Sequence, residues 1–364
     1  TLWAFRASTL SLFAALSRAR SGGLFWLMFF SVFTSVNAHA AKEVRFKEYP
    51  FEITRGERLV VQGLRGAVKL SVVAPGKTPV VRARKVVVDA SRPGANERFE
   101  NLSFTVRREA GIVFIEPKGP STRQEWIDWT RPGQPELSYE IEAPSTPAEI
   151  HIHSGNVSVT NWKDAVAVTL QDGRVTAADG AGAARVSILR GSVTIERQKG
   201  PVEVESHAAK VNIASVDGDV QVHAFAGESQ VSGVKGELSV RTKAGTMTLS
   251  KISGGLVFDN GRGKLEGSAI EGTVRGTNDD GSVSLQLAGE ADVSIETQDG
   301  SVSVKPPGGA GVLLKLSSEE GPILAPSSVT IPRTAGPKSV VARLDGAPKG
   351  VIVLKAKRGT IRIR

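Results

Sequence analysis

Glycine returns at multiples of nine residues through the middle of this chain, and no other feature restricts its fold as much. Counted from Gly155 in steps of nine, it stands at 155, 173, 182, 191, 200, 218, 227, 236, 245, 254, 263, 272 and 281, with Asp164, Ala209 and Glu290 as interruptions. Two positions after nearly every step an apolar residue follows, from Val157, Val166 and Val175 to Val274 and Val283. Another follows four positions after, as at Val159, Val186, Ile195, Val204 and Ile213. The phrase Gly-x-Val-x-Val is a short strand that buries every second side chain and is reached through a glycine turn.

The position seven after each step turns the nine into an eighteen. Val216, Val234, Ile252, Ile270 and Ala288 are apolar there, whereas the alternating His207, Lys243, Gly261, Asp279 and Thr297 are polar or Gly, with Phe225 the exception. One full turn is therefore about 18 residues with two unlike corners. The tight corner reads apolar-x-Gly, as in Val234-Lys235-Gly236. The wetter one reads Leu170-Gln171-Asp172-Gly173 or Thr277-Asn278-Asp279-Asp280-Gly281, where Asn, Asp and Gly suit turn residues at positive φ. A single turn cannot bury both ends of its apolar stripe, so turns must stack in register. The expected fold is all-β: a single-stranded β-solenoid, β-helix-like, with two facing sheets over a thin Val/Ile/Leu core. At about 4.8 Å per strand, some eight turns between 155 and 304 make a rod on the order of 40 Å long. Its open sheet edges need caps at both ends. The phrase Gly-Ser-Val-Ser, at 281 and again at 300, recurs after 19 residues rather than 18. One extra residue in the corner 287–292 explains the shift, which moves the apolar pair to Val293 and Ile295 without any ligand.

Composition agrees with such a core. Hydrophobic residues make up 40% of 364, yet aromatics only 5%, and there are 39 glycines. The first forty residues hold no acid, place Arg18 and Arg20 before the apolar run 23–36, and end in Ala38-His39-Ala40, the pattern of an export signal. Its apolar segment is shorter than the roughly 20 residues a bilayer span requires, so no transmembrane segment is expected in the mature chain. With no cysteine, disulfides and a lipid-bearing cysteine are both excluded. Of the formal charge of +9, three units belong to Arg6, Arg18 and Arg20, which leaves +6 for the mature chain. The expected organisation is a signal peptide (1–40), an N-terminal β region with the first turns and a long inserted hairpin or loop (41–150), regular repeats (151–305) and C-terminal turns with a cap (306–364). The last hexapeptide, Gly359 to Arg364, is the repeat phrase once more.

Leu137 to Pro144, the His-bearing strand that follows, Gly155-Asn156-Val157-Ser158-Val159 and the run of Gly-x-Val-x-Val repeats resemble the bacterial putative-adhesin family of exported domains of unknown function. The similarity covers most of residues 57–364 and lies in pattern rather than in a catalytic motif. It implies an exported or envelope-associated β-solenoid in the periplasm or at the cell surface, and it brings no catalytic residues with it. The loop around Trp126 and Trp129 departs from the repeat pattern.

Several chemistries can be weighed against the repeat. Calcium-binding nonapeptide solenoids carry Gly-Gly-x-Gly-x-Asp, and here Asp217, Asp219, Asp279, Asp280 and Asp299 form no repeated oxygen set. His151 and His153 share a strand face but have no third ligand in the sequence, so neither metal nor cofactor is expected. Polysaccharide-acting enzymes built on β-helices use two carboxylates in a groove, and that is the alternative function to set beside a non-catalytic one. The candidate recognition site is the pair Trp126 and Trp129 with Arg123 and Arg131, which can stack on a sugar or grip a partner, or else plug the end of the solenoid. Basic clusters at 82–85, at Arg107 and Arg108, and in the tail (Lys355, Lys357, Arg358, Arg362, Arg364) can meet anionic glycans or headgroups, or protect a sheet edge. Nucleic acid is not an expected partner, since export and the absence of interleaved aromatics oppose it. An exported binding, adhesion or scaffold protein of the cell envelope is the leading expectation, without catalysis and with envelope polysaccharide or another envelope protein as partner.

Overall fold

The structure, a computed structural model, describes residues 41–364 except 47, 55, 88–93, 120–122, 130, 132, 310, 333–335, 345 and 347, and it leaves out the side chains of Arg123, Trp126 and Pro348. The export signal expected in residues 1–40 lies outside the described residues.

The chain is a β-solenoid with about 18 residues per turn. In one sheet Val166 lies beside Ala184, then Val202, Val220, Leu238, Leu256 and Val274, all in parallel register. In the facing sheet Val175 lies beside Val193, then Val211, and further along Met247 beside Leu265 and Val283. These inward columns are almost completely buried, as the period-two pattern requires. At the corner between the sheets, the Gly155, Gly173 and Gly191 backbones stack directly. A Cβ on Gly173, at φ +140°, would sit 1.8 Å from the Gly155 carbonyl oxygen, so only glycine fits.

The tight corner has a cause that the sequence pattern only half shows. Asn161, Asp179, Arg197, Ser215, Gly233, Lys251 and Ala269 all have φ between 53° and 66°, one in each successive turn. This left-handed residue resets the alternation, so that Ile213 and Val216 both point inward although three positions apart. The same holds for Val231 and Val234 and for Leu249 and Ile252. The next turn has no residue at positive φ in the equivalent place: Leu285 and Leu287 are both buried at a spacing of two. Its corner then needs extra residues, with Gly289 at φ +70°, before Val293 pairs with Val274. This is the 19-residue step, and the two Gly-Ser-Val-Ser copies do sit in register, Ser282 beside Ser301 and Val283 beside Val302. Leu287 rather than Ala288 takes the buried place beside Ile270.

Both ends abandon sequential stacking. Strand Arg58–Val72 runs through both sheets and has Ala148–Thr160 on one side. On its other side lie Ile112–Lys118 and Glu136–Ala143. The chain therefore builds 58–72, moves outward for the layer 112–143, and passes back over 58–72 through the crossing 144–147. At the opposite end, Val293–Thr297 pairs not with the next strand in sequence but with Pro348–Ala356, and Ser301–Lys305 pairs with Thr360–Ile363. Gly311–Ser318 and Ile323–Leu324 form the layer beyond, on the outer side of that final turn. Strand Gly311–Ser318 thus stands two layers, about 9.6 Å, beyond the layer that ends at Lys305, and 348–364 fills the gap. Proline stands in both crossings, at Pro144 and Pro147 and at Pro306 and Pro307.

Antiparallel strands close the outer layers: Ser103–Glu109 against Ile112–Lys118, Val80–Val87 against Glu136–Ala143, and Lys338–Leu344 against Gly311–Ser318. Phe46, Tyr49 and Tyr139 each meet the Phe104 ring edge-on and fill the N-terminal end. The N-terminal crossing is hydrogen-bonded throughout: Thr146 Oγ1 donates to the Glu57 carbonyl, and the Trp162 indole donates to the Thr146 carbonyl at 2.9 Å. Ser145 Oγ accepts from the main-chain N–H groups of Lys163 and Asp164, both at 2.9 Å. No helix among the described residues is long and apolar enough to cross a membrane.

Candidate functional site

The tryptophan loop forms a short helix, Arg123–Trp129, in the N-terminal end. Trp129 is 5% exposed and belongs to the core, and a Cβ on Gly119 would lie 2.9 Å from its ring. The Trp129 ring thus packs inward, against Gly119, at the end of the solenoid. Arg131 is exposed and pairs with Asp128 at 3.3 Å. The side chains of Arg123 and Trp126 lie outside the described ones.

Most charges of the basic clusters face acids. Arg82 bonds Glu48 and Glu142 at 2.5 and 2.6 Å. Lys85 points inward, where its ammonium caps the helix Ala95–Asn101 by donating to the carbonyls of Phe99, Glu100 and Leu102 at 2.7, 3.1 and 3.2 Å. Burial pushes its pKa down, since the charge has left water. Arg107 pairs with Glu109 and Glu116, and Arg108 with Glu57. In the tail, Lys355 meets Glu296 and Arg358 meets Asp299. Nor is the tail an edge: its two strands have neighbours on both sides.

His151 and Glu149 share the outer strand face, with His151 Nε2 3.6 Å from Glu149 Oε2. Glu149 Oε1 accepts from Arg58 at 2.8 Å. Burial, reinforced by the Arg65 guanidinium, holds the His153 imidazole below its usual pKa. No group of three metal-ligating side chains occurs among the described residues.

The wetter corner differs from a solvated turn. Asn260 and Asn278 are buried side chains of the inner column, not positive-φ turn residues. Asn260 Nδ2 donates to the Gly263 carbonyl at 3.0 Å and to Asn278 Oδ1 at 2.6 Å, and Asn278 Nδ2 donates to Gly281 O and Thr297 Oγ1, both at 3.0 Å. Thr297 Oγ1 donates onward to Gly300 O at 3.2 Å. This ladder replaces the apolar column Ile152, Leu170 and Ile188 of the earlier turns. At the same corner outside, His207 stacks flat on Phe225 with centroids 4.5 Å apart, and the Lys243 ammonium lies 4.9 Å from the Phe225 centroid. With His207 and Lys243 against the ring, the Phe225 faces are occupied, so this stripe offers ring edges to a partner.

A surface shaped for recognition lies elsewhere, where the chain passes from the tight corner into the first sheet. A cleft of about 750 Å³ crosses seven successive strands, from Arg58 and Glu149 to Gln221 and Ser239. Its depth comes from small residues on adjoining turns: Ala165 and Ala183 at the corner and Ala167 on the outward strand face. Two ion pairs frame that floor, Arg58 with Glu149 at 2.8 Å and Arg185 with Glu203 at 2.5 Å. Pro147 and Pro201 line the corner side, and Asp219 Oδ1 accepts the Glu237 main-chain N–H at 2.9 Å. Four carboxylates thus border the cleft, more than expected of a non-catalytic face. Two of them are held by arginine and a third by a main-chain donor. The cleft was legible only as alanines at outward positions 18 apart, which looks like noise until the turns are stacked.

No protein-family model matches the sequence, and no curated protein matches it. Among solved structures, a putative cell adhesion protein from Clostridium sporogenes is 12% identical, over 89% of this chain and 99% of that one, with a TM-score of 0.18. A putative adhesin from Bacteroides fragilis is 13% identical, over 89% and 97%, with a TM-score of 0.23.

Proposed function

We propose that this chain is an exported β-solenoid of the bacterial cell envelope that binds an extended polymer, an envelope polysaccharide or a segment of another envelope protein, and catalyses no reaction on it. The observation that carries this reading is the cleft over strands 58–239, which runs along the solenoid axis and is floored by alanine between two arginine–glutamate pairs. Such a trough takes a chain lengthwise, with guanidinium and carboxylate groups spaced to bond hydroxyl or amide groups at intervals. The rival reading is a polysaccharide-acting enzyme that uses two of the bordering carboxylates, as glycosidic cleavage requires. In the arrangement described, Glu149 and Glu203 serve their arginines.

Fractionation with protease shaving of intact cells tests the location. Binding of the mature protein to purified envelope polysaccharides, with product analysis of the same samples, tests the activity. Retained polymer of unchanged length, with binding weakened by Ala167→Trp, is the expected outcome. Shortened polymer would establish the enzyme instead. Cytoplasmic retention would remove both readings.

A further inference from the structure

The cleft carries a charge opposite to that of the chain as a whole. Its lining sets two guanidinium groups, Arg58 and Arg185, against four carboxylates, a net charge of −2, whereas the formal charge of the sequence is +9. The surplus lies at one end. Glu149 and Glu203 each accept from an arginine, but Asp219 and Glu237, exposed on successive turns at the other end, pair with no Lys or Arg among the described residues. Asp219 Oδ1 takes the Glu237 main-chain N–H at 2.9 Å, which fixes that carboxylate and leaves its second oxygen, with the Glu237 carboxylate, for a charge-assisted bond to a ligand.

The main chain along the corner of the cleft is already engaged. The Ala148 N–H donates to the Ala165 carbonyl, Val166 to Ala183, Ala184 to Pro201, Val202 to Asp219 and Val220 to Glu237, all between 2.8 and 2.9 Å. A peptide that adds to a sheet needs an open edge, and a polyproline-like one needs an aromatic groove; the cleft has neither edge nor ring. Recognition must therefore come from side chains. Hydroxyl groups, which rotate to serve as donor or acceptor, suit such a lining better than fixed amides do. With no ring to stack on, neutral hydroxyl bonds exchanged for water contribute little, and a bond to an ionised group is the stronger contact.

We infer that the cleft, on the reading that it binds an extended polymer, takes a polysaccharide bearing free amino groups. An ammonium sits between Asp219 and Glu237, and the sugar hydroxyls run along Arg58, Arg185, Gln221 and Ser239. Seven strands at a spacing of about 4.8 Å give the cleft about 29 Å of length, room for several sugar units. An acetylated polymer lacks the charge for the acidic end, and an anionic one is repelled there.

Calorimetry with the mature protein tests this with short oligomers of β-linked glucosamine, their N-acetylated counterparts and oligolysine, at pH about 6, where carboxylates are ionised and amines protonated. The glucosamine oligomer should bind about tenfold tighter than the acetylated one in dilute buffer, and salt should shrink the preference. Asp219→Asn with Glu237→Gln should bring the two within about twofold, at an unchanged melting temperature, since the first change keeps an oxygen for the Glu237 main-chain N–H. Ala167→Trp should weaken both. Equal affinity for the two oligomers, still lost in Ala167→Trp, overturns the amine and keeps the cleft as a binding site. Affinities indifferent to Ala167→Trp overturn the cleft itself, and this inference with it. Tighter binding of oligolysine than of the glucosamine oligomer overturns the polysaccharide in favour of a protein segment, and no binding of any of the three overturns the inference outright.

Discussion

The Lys355 ammonium lies 2.8 Å from the Glu296 carboxylate although the two residues are 59 apart, whereas Arg185 and Glu203 in the regular turns make the same kind of pair at a separation of 18. The difference of 41 is the chain that was laid down one layer further out before the tail came back. Leu354, beside Ile295 and Leu316, anchors this returning turn and is 1% exposed. Leu354→Ala should cost about 2–5 kcal/mol. Lys355→Ala should cost under about 1 kcal/mol. Hydrogen exchange by mass spectrometry distinguishes the interleaved order from a simple last turn: in Leu354→Ala the amides of 312–324 should lose protection together with those of 350–364, while 256–287 keep theirs.

The asparagine ladder predicts a gain as well as a loss. Asn260 Oδ1 is buried and finds no donor among the described residues, and Thr242 sits directly beside it in the preceding turn. Thr242→Asn would place an amide where it can donate to Asn260 Oδ1 and to the Gly245 carbonyl, as Asn260 does one turn later. Urea melts should show stabilisation of about 1 kcal/mol. Asn278→Ala removes both donors of the central rung and should cost about 2–4 kcal/mol.

Two glycines give a matched contrast. Gly173→Ala forces a Cβ into the Gly155 carbonyl and should cost more than about 3 kcal/mol. Gly308 has nothing within 4 Å of a built Cβ and no positive φ, so Gly308→Ala should fall within about 0.5 kcal/mol of the parent. Equal melting temperatures for the two variants would contradict the stacked corner.

Acid should loosen the layers at both ends. The Arg108 bond, with the Thr54 main-chain N–H, holds the Glu57 carboxyl below its ordinary value of 4.5, and Arg358 holds Asp299 below 3.8. A carboxylate whose folded pKa is depressed contributes stability that is complete above the unfolded value and is lost as pH falls through the folded one. The melting temperature should therefore be flat from pH 7 to about 5 and decline below about 4.5. Asp299→Asn should remove part of that slope, and a decline of undiminished steepness would show that the Arg358 pair contributes none of it.

The interior of the solenoid was legible because period and burial coincide there: Val175 or Leu265 is inward for the same reason that it follows a glycine by two. The 19-residue step was equally readable, from the displaced Val293 and Ile295. Less could be read of the residues that hold the tight corner, since Arg197, Lys251 and Ala269 occupy a left-handed conformation that their side chains do not favour and that neighbouring turns impose. Asn278 was misread because a turn and an inward ladder use the same residue type. The cleft needs alanines from separate turns, and the order of the end layers depends on which strands meet across 59 residues. Neither is a property of any local stretch.

The changes of layer order at 144–147 and beyond Lys305 also alter how this protein can come apart. A stack of repeats ordinarily frays from its ends, shedding one unit at a time because each contacts only its neighbours. Here the outermost layer is tied by sequence to a layer two places inward, with another stretch of chain lying between them. The enclosed layer therefore cannot leave until the strands outside it have moved, so that at each end the stretch laid down out of order is laced in place.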